Sequence, residues 1–186
     1  MSADLIPFWQ ALLRAPRQMG AIVPAGRFLG QAMVREVLDT NPGLVIELGA
    51  GTGSITQALF AVRHQLSDLI VFEKAPELAA RLHQKFPGLT VHGTCASKVS
   101  QLDLLGQNTL TLVSSLPFRS LPAGDRHQLS DAIAGISKGI THFRLIQYSY
   151  FGRLPFPSPT KNLSWHRKQT VVRNLPPATV WTLEKS

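Results

Sequence analysis

Short apolar runs alternate with stretches of helical spacing through residues 41–118. Four runs rich in Val, Ile and Leu have the length of buried strands, at residues 44–48, 69–72, 89–91 and 110–113. Between them, apolar residues recur at helical spacing, as Ile55, Leu59 and Val62 and then as Leu78, Leu82 and Phe86. Strands that alternate with helices pair in parallel through right-handed crossovers, with helices on both faces of the sheet. The pattern predicts an α/β domain.

The same alternation continues into the last third of the chain. A helical stretch over residues 125–136 stops near Gly139, and the apolar run 143–150 predicts another strand. A proline-rich segment at residues 154–159 predicts a loop. Two final strands are predicted at residues 170–173 and 179–183. Because no internal repeat is present, we expect residues 1–186 to form one domain.

The opening segment, residues 4–17, has a different pattern. Leu5, Phe8, Trp9 and Leu12 fall at i, i+3, i+4 and i+7, and basic residues follow at positions 14 and 17. An amphipathic helix of this kind can lie in a membrane interface. It can equally cover the sheet or a substrate entrance, and the sequence leaves both interpretations open.

Composition narrows the class of protein. A chain of 186 residues with 44% hydrophobic and 16% charged residues is typical of one globular domain. The single cysteine, Cys95, excludes an internal disulfide. No apolar run is long enough to cross a bilayer, and the start lacks the basic residues of a secretory signal. We therefore expect a soluble protein of a reducing compartment.

The positive charge is concentrated at one end of the chain. The net charge is +8, and residues 119–186 contribute ten basic and three acidic side chains, a net +7. Such a surface suits anionic lipid, RNA or DNA. Charge alone names no partner, and a simple solvated surface has the same composition.

Three glycines carry most of the chemical information. Gly49, Gly51 and Gly53 are spaced G-x-G-x-G between a predicted strand and a predicted helix. Glycine suits a sharp turn that approaches a ligand, because no Cβ stands in the way. The dinucleotide fingerprint has its third glycine one position later, where this chain has Ser54, and the phosphate-binding loop G-x-x-x-x-G-K-[ST] is absent. The turn thus indicates a different ligand.

Two acids flank this turn. Glu47 precedes the glycines, where a carboxylate would repel a pyrophosphate but suits a ligand with an ammonium group. Glu73 ends the second predicted strand, 20 residues after Gly53, where a carboxylate can accept hydrogen bonds from ribose hydroxyls. An acid at each place favours S-adenosylmethionine over a dinucleotide.

These motifs resemble those of the class I S-adenosylmethionine-dependent methyltransferases. The resemblance implies a Rossmann-like fold with a seven-stranded, mostly parallel sheet, one antiparallel edge strand and helices on both faces. It implies that Glu47 and the glycines hold the methionine part of the cofactor and that Glu73 holds the ribose. The implied cofactor site comprises Glu47, Gly49, Ala50, Gly51, Thr52, Gly53, Glu73, Lys74, Thr94, Cys95 and Ser114.

The region after the third strand departs from the family pattern. The family often has an acid there, near the adenine amino group. Residues 92–97 contain no carboxylate, so Thr94 or Cys95 would occupy the place. This departure is the one feature that favours a cofactor-binding relative without activity.

The segment after the fourth strand bears on the methyl acceptor. Enzymes that methylate amino groups of bases carry Asn or Asp here, then x-Pro and an aromatic residue that stacks on the flipped base. This chain reads Ser115-Leu116-Pro117-Phe118, and a hydroxyl orients an aromatic amine more weakly than an amide. The replacement counts against adenine methylation, although an adenine-dimethylating rRNA methyltransferase stays open as the alternative.

The wider pattern resembles the bacterial phospholipid N-methyltransferase family. The matching stretches cover nearly the whole chain, at residues 20–24 (GAIVP), 47–53 (ELGAGTG), 114–118 (SSLPF), 147–150 (QYSY) and 173–178 (RNLPPA). The resemblance implies stepwise methylation of phosphatidylethanolamine toward phosphatidylcholine. It implies a peripheral protein on the inner face of the cytoplasmic membrane that binds anionic lipid, with residues 4–17 as the membrane-associating helix. Nucleic acid is not expected as a partner, and no protein partner is inferred.

Chemistry at an alkyl amine points to the acceptor side chains. The ammonium must lose a proton before it attacks, and a methylated cation is attracted to aromatic faces. Tyr148 and Tyr150 share a face of a predicted strand, and Phe118 and Ser115 follow the fourth strand. We expect these four residues to form the catalytic site.

Six basic residues are available for a lipid phosphate: Arg119, Arg144, Arg153, Lys161, Arg167 and Lys168. No histidine has metal-ligand spacing, so no metal site is predicted.

Overall fold

The computed structural model describes residues 26–186. The helices of this part are α1 (Arg27–Leu38), α2 (Ser54–Ala61), α3 (Pro76–Lys85) and α4 (Ala123–Gly139). The strands are β1 (Leu44–Leu48), β2 (Asp68–Phe72), β3 (Thr90–His92), β4 (Thr109–Ser114), β5 (His142–Tyr150), β6 (Leu163–Val171) and β7 (Ala178–Lys185). The predicted helix at 4–17 and the motif at 20–24 lie outside the described residues.

The strands form one seven-stranded sheet in the order β3-β2-β1-β4-β5-β7-β6. Strands β1 to β5 are parallel to one another, whereas β7 is antiparallel to both β5 and β6. The predicted mostly parallel sheet is therefore confirmed. The prediction that the antiparallel strand lies at the edge is wrong, because the β6–β7 hairpin inserts β7 beside β5 and leaves β6 outermost.

Helices cover both faces of the sheet, as predicted. One core joins α1, α2 and α3 to the face that carries Val45 and Val113, and the other joins α4 to the face that carries Ile46 and Leu112. The β1 strand is buried along its whole length because it lies in the middle of the sheet. Within residues 26–186, no helix is long and apolar enough to cross a membrane.

The strand predicted at residues 170–173 overlaps the observed strand only at Thr170 and Val171, so its bounds are wrong. Strand β6 instead begins at Leu163 and ends at Val171, with a bulge between Arg167 and Gln169. It is an edge strand with several exposed polar side chains, so its sequence lacks the apolar run of the buried strands. The other predicted strands agree with the structure to within about two residues at either end.

The ends of the strands lie at two opposite sides of the sheet, which we call its carboxyl edge and its amino edge. The carboxyl edge contains the carboxyl ends of β1 to β6 and the start of β7, since Tyr150 and Val171 both pair with Ala178. At the opposite, amino edge, the Arg144 guanidinium donates to Glu184 Oε1 at 2.8 Å and to the Glu36 carbonyl at 2.6 Å. Arg144 is buried there, so the prediction that it is available for a lipid phosphate is wrong.

Candidate functional site

The glycine loop, residues 49–53, turns the chain from β1 into α2 at the carboxyl edge. Gly49, Gly51 and Gly53 all have positive φ angles, of 76°, 57° and 81°, in the region that favours glycine. A Cβ at Gly49 would collide with Leu116, whereas a Cβ at Gly51 would meet nothing within 4 Å. The positive φ and the Leu116 side chain both disfavour a Cβ at Gly49, and Gly51 leaves open space in which a ligand can approach the backbone.

Glu73 follows β2 and closes the loop from the other side. Its Oε2 accepts a hydrogen bond from the Gly51 N–H at 2.7 Å, and its Oε1 accepts one from the Ala75 N–H at 2.8 Å. The Gly49 N–H also donates to the Phe72 carbonyl at 2.8 Å. These bonds place the Glu73 carboxylate against the glycine loop, as the spacing of the two motifs predicts.

Glu47 lies inside the domain, one strand residue before the loop. It is fully buried, its Oε2 accepts a hydrogen bond from the Thr56 hydroxyl at 2.7 Å, and its Oε1 has no partner in the described part of the chain. Burial raises the pKa of Glu47 from 4.5 to about 7; the bond from Thr56 opposes this rise, and the nearby Glu73 adds to it. A buried acid with an unpaired oxygen is suited to a cationic ligand group.

A pocket opens between the glycine loop and the start of α4. It opens to solvent, and about 440 Å³ of unoccupied space lies within it and in front of it. Its lining includes Glu73 and Cys95 and the apolar side chains of Phe72, Leu116 and Leu129. Lys74 and Asp125 also line it and form an ion pair at 3.4 Å. The pocket thus offers apolar walls for a flat group and carboxylates for polar ones.

The predicted cofactor residues divide into two sets around this pocket. Gly49, Glu73, Lys74 and Cys95 line it directly. The rest lie on the adjoining strand ends and loops without lining it: Glu47, Ala50, Gly51, Thr52, Gly53, Thr94 and Ser114. Ser114 is buried, and its hydroxyl accepts a hydrogen bond from the Leu116 N–H at 3.3 Å.

The acceptor segment after β4 has an unusual hydrogen-bond arrangement. The Leu116 carbonyl accepts two hydrogen bonds, from the Phe118 N–H at 2.8 Å and from Gln147 Nε2 at 2.9 Å. The Ser115 hydroxyl and Gln147 Oε1 are buried and find no partner within residues 26–186. Both acceptor positions of this carbonyl are filled, while a side-chain hydroxyl and an amide oxygen beside it stay open.

The three aromatic residues predicted for the acceptor lie in two places. Tyr148 and Tyr150 are half-buried near the end of β5, with ring centroids 5.7 Å apart in an edge-to-face arrangement. Burial raises the pKa of both phenols, so they stay protonated at neutral pH. Phe118 is 5% exposed and stacks on Phe156 at 3.7 Å in the opposite core, so its acceptor role stays a prediction.

The chemistry of these groups fits S-adenosylmethionine. An acid with an unpaired oxygen precedes the loop, a second acid ends β2, and the backbone at Gly51 faces open space. The apolar walls of the pocket suit a planar base. A dinucleotide fits less well because its pyrophosphate would meet two carboxylates.

Solved structures identify the class of the fold. The N-methyltransferase NodS from Bradyrhizobium japonicum, in complex with S-adenosyl-L-homocysteine, matches with a TM-score of 0.61 and 14% identity over 95% of this chain and 97% of that one. An rRNA methylase from Streptococcus thermophilus matches with a TM-score of 0.57 and 16% identity over 89% and 99%. The chain has the class I S-adenosylmethionine-dependent methyltransferase fold.

A curated relative carries a more particular name. An ornithine lipid N-methyltransferase from Singulisphaera acidiphila is 30% identical over 124 residues, which cover 64% of this chain and 65% of the relative. The match thus spans slightly less than two thirds of that protein's length. No protein-family model matches the chain.

Sequence reasoning missed three residues at this site. Thr56 donates a hydrogen bond to the buried Glu47. Gln147 donates one to the Leu116 carbonyl, and Asp125 places a carboxylate in the lining of the pocket. Gln147 stands in a motif that the sequence analysis quoted, but nothing in that motif marks its partner. Asp125 lies in the first turn of α4, far in sequence from the third strand where an acid was sought.

Proposed function

We propose that this chain transfers methyl groups from S-adenosylmethionine to the amine of a membrane phospholipid. Phosphatidylethanolamine and its mono- and dimethyl forms, on the way to phosphatidylcholine, are the proposed acceptors. The fold supports methyl transfer. The observation that favours a lipid amine over a base is that the Leu116 carbonyl already accepts two hydrogen bonds. In enzymes that methylate bases, the corresponding carbonyl accepts from the target amine, and here that position is filled by Gln147 and Phe118.

The chain's own acids would hold the cofactor. Glu47 would face its ammonium group and Glu73 its ribose, while the walls of the pocket would enclose the adenine. When bound, the cofactor supplies an electrophilic methyl group on a sulfonium. Transfer to an amine needs alignment and desolvation of the two reactants rather than a metal or a nucleophile from the protein.

The acceptor side would be formed by Tyr148, Tyr150 and Ser115. The two phenols are protonated, so they would offer ring faces and hydroxyl groups to the amine rather than act as bases. The buried Ser115 hydroxyl and Gln147 Oε1 have unused acceptor capacity for amine N–H groups. The relative that methylates ornithine lipid supports a lipid amine as the acceptor class.

A nucleic-acid methyltransferase is the second candidate. The net charge of +7 in residues 119–186 and the Pro117-Phe118 pair favour it. The buried and stacked position of Phe118 counts against it, because the ring faces needed for a flipped base are packed in the core.

A labelled-methyl assay tests both candidates. The full chain is incubated with methyl-labelled S-adenosylmethionine and one of three acceptors: mixed phosphatidylethanolamine and phosphatidylglycerol vesicles, vesicles containing ornithine lipid, or unmethylated rRNA. We expect label in the phosphatidylethanolamine products. Label in ornithine lipid alone would correct the acceptor within the lipid class, and label only in RNA would overturn the proposal.

Matched variants separate the cofactor site from the fold. Glu47→Ala should abolish both cofactor binding and methyl transfer, whereas Glu77→Ala, which removes an exposed carboxylate on α3, should change neither. Tyr148→Phe should lower lipid turnover more than cofactor affinity. Equal loss of cofactor affinity in Glu47→Ala and Tyr148→Phe would contradict this division of roles.

A further inference from the structure

Exposed apolar side chains are concentrated at the carboxyl edge. Among residues 26–186, the large hydrophobic residues classed as exposed are Phe151, Leu154, Val172, Leu175 and Leu105. The first four lie on two loops, the one that follows β5 and the one that joins β6 to β7. Because Tyr150 and Val171 both pair with Ala178, these loops leave the sheet side by side. We call these four residues the loop patch.

Phe151 holds an unfavourable backbone conformation in this patch. Its φ is 60°, a region that bulky residues rarely adopt, and the side chain is 47% exposed. Because nearly half of the Phe151 side chain is exposed, its burial offsets only part of the backbone strain. An apolar ring kept in a strained, exposed turn indicates a contact outside the domain.

The loops that carry the patch are basic. Residues 151–177 contain five basic side chains and no acidic one. Arg153 stands within the first loop, and the Arg167 guanidinium lies beside the Phe151–Gly152 turn. Arg173, in the second loop, lies over the Phe28 ring at 5.3 Å. Apolar tips surrounded by cations complement an anionic lipid surface.

The start of the described chain is tied to the same loops. Asn174 Oδ1 accepts a hydrogen bond from the Gly26 N–H at 2.9 Å, and Asn174 Nδ2 donates to the Pro176 carbonyl at 2.8 Å. Residues 1–25 therefore join the domain next to the loop patch. Eight residues, 18–25, separate the amphipathic pattern at residues 4–17 from Gly26.

We propose that the loop patch is a docking surface for an anionic lipid bilayer. The four apolar side chains enter the interface, and Arg153 and Arg173 lie at the level of the lipid phosphates. The surface deepens the proposed function, on which its purpose rests, because it brings the carboxyl edge and its acceptor site to the membrane. A lipid amine then reaches the site without leaving the bilayer.

Vesicle binding by the full chain tests the surface. The variant Phe151→Asn/Val172→Ser/Leu175→Ser is compared with wild type and with Leu105→Ser, which removes an exposed leucine outside the loop patch, between β3 and β4. We expect the triple variant to bind phosphatidylglycerol-containing vesicles about tenfold or more weakly, and Leu105→Ser to bind like wild type. Because Asn tolerates positive φ, Phe151→Asn alone should lose affinity without lowering the melting temperature.

The outcomes separate the docking surface from the reaction. Unchanged binding of the triple variant, or equal wild-type binding to purely phosphatidylcholine vesicles, would overturn the anionic docking surface. Methyl transfer to phosphatidylethanolamine in detergent micelles is measured in parallel, because it does not require a bilayer. Binding that depends on the loops, together with no transfer in micelles by wild type, would overturn the proposed function and support the docking surface.

Discussion

Glu47 is a residue whose burial costs stability and whose proposed ligand would offset that cost. The carboxyl group is fully buried between β1 and α2, and a single side-chain hydrogen bond, from Thr56, reaches it within the described residues. A buried acid is favoured in its neutral form, so its pKa rises to about 7. A cationic ligand group beside Glu47 would reverse this preference and favour the carboxylate.

The pH dependence of unfolding should reveal this residue. Because the folded pKa of about 7 exceeds the ordinary value of 4.5, the group's contribution to stability is fully present below pH 4.5 and is lost as the pH rises through 7. The loss is on the order of 3 kcal/mol in the free energy of unfolding. Glu47→Gln should remove this pH-dependent loss, because the amide does not ionise. The variant should therefore become more stable relative to wild type as the pH rises from 5 to 8.

Urea denaturation at several pH values measures this difference. The control is Glu77→Gln, which changes an exposed carboxylate and should follow the wild-type curve at each pH. Parallel curves for Glu47→Gln and wild type would show that the buried carboxyl does not titrate in this range.

At the scale of residues, the sequence predicted those that one strand–helix–strand unit brings together. The glycines and the two acids follow from the order of strand, turn and helix, and the structure places Glu73 against the loop as expected. Gln147 and Asp125 could not be found this way, because their contacts with Leu116 and Lys74 bridge 31 and 51 residues. Phe118 illustrates the reverse, since its motif does not reveal that Phe156 packs against it.

Among the elements, the β6–β7 hairpin links the sheet to the start of α1. Asn174 in its loop is 4% exposed and bonds to both Gly26 and Pro176. A Cβ at Gly26 would lie 2.9 Å from Asn174 Oδ1, so this contact requires a small residue. The terminal motif that the sequence analysis quoted therefore has a structural role at the junction with residues 1–25.

Asn174→Ala should weaken this junction. The change removes both hydrogen bonds and leaves the Gly26 N–H without its partner, which typically costs about 1–3 kcal/mol in the free energy of unfolding. Asn162→Ala, at an exposed position before β6, is the control and should cost little. Thermal and urea unfolding measure both variants. Equal stability of Asn174→Ala and wild type would mean that water replaces the side chain.

The strands differ in how well they can be predicted from the sequence. The central strands are buried on both faces, so they read as continuous apolar runs, and β1 was predicted with its observed bounds. Strand β6 was missed over most of its length because an edge strand with exposed His166, Arg167 and Lys168 has no such run. The place of β7 between β5 and β6 is a matter of topology that local pattern does not encode.

Across the whole molecule, an ion-pair network lies at the amino edge and the candidate site lies at the carboxyl edge. At the amino edge, Arg144 joins α1, β5 and β7 through Glu36 and Glu184. Burial alone would raise the pKa of Glu184, but the hydrogen bond from Arg144 holds it below its ordinary value. At the carboxyl edge lie the glycine loop, the pocket and the loop patch. Gly26, where residues 1–25 join the described chain, also lies at the carboxyl edge.

Removal of residues 1–17 tests how the opening segment contributes to the whole. Residues 26–186 contain the complete seven-stranded sheet, both acids and the pocket, so cofactor affinity should stay close to that of the full chain. Binding to anionic vesicles should fall, because the apolar stripe and the two arginines at positions 14 and 17 are lost. Calorimetry with S-adenosylmethionine and vesicle sedimentation measure the two properties on the same preparation.

The loop patch makes the expected loss partial. If the segment at 4–17 and the loop patch both contact the bilayer, the truncated chain should keep residual vesicle binding that the substitutions at Phe151, Val172 and Leu175 then remove. Vesicle binding that the truncation leaves unchanged would contradict a membrane role for residues 4–17. Loss of cofactor affinity with intact vesicle binding would instead place the segment over the pocket, which is the alternative that its amphipathic pattern left open.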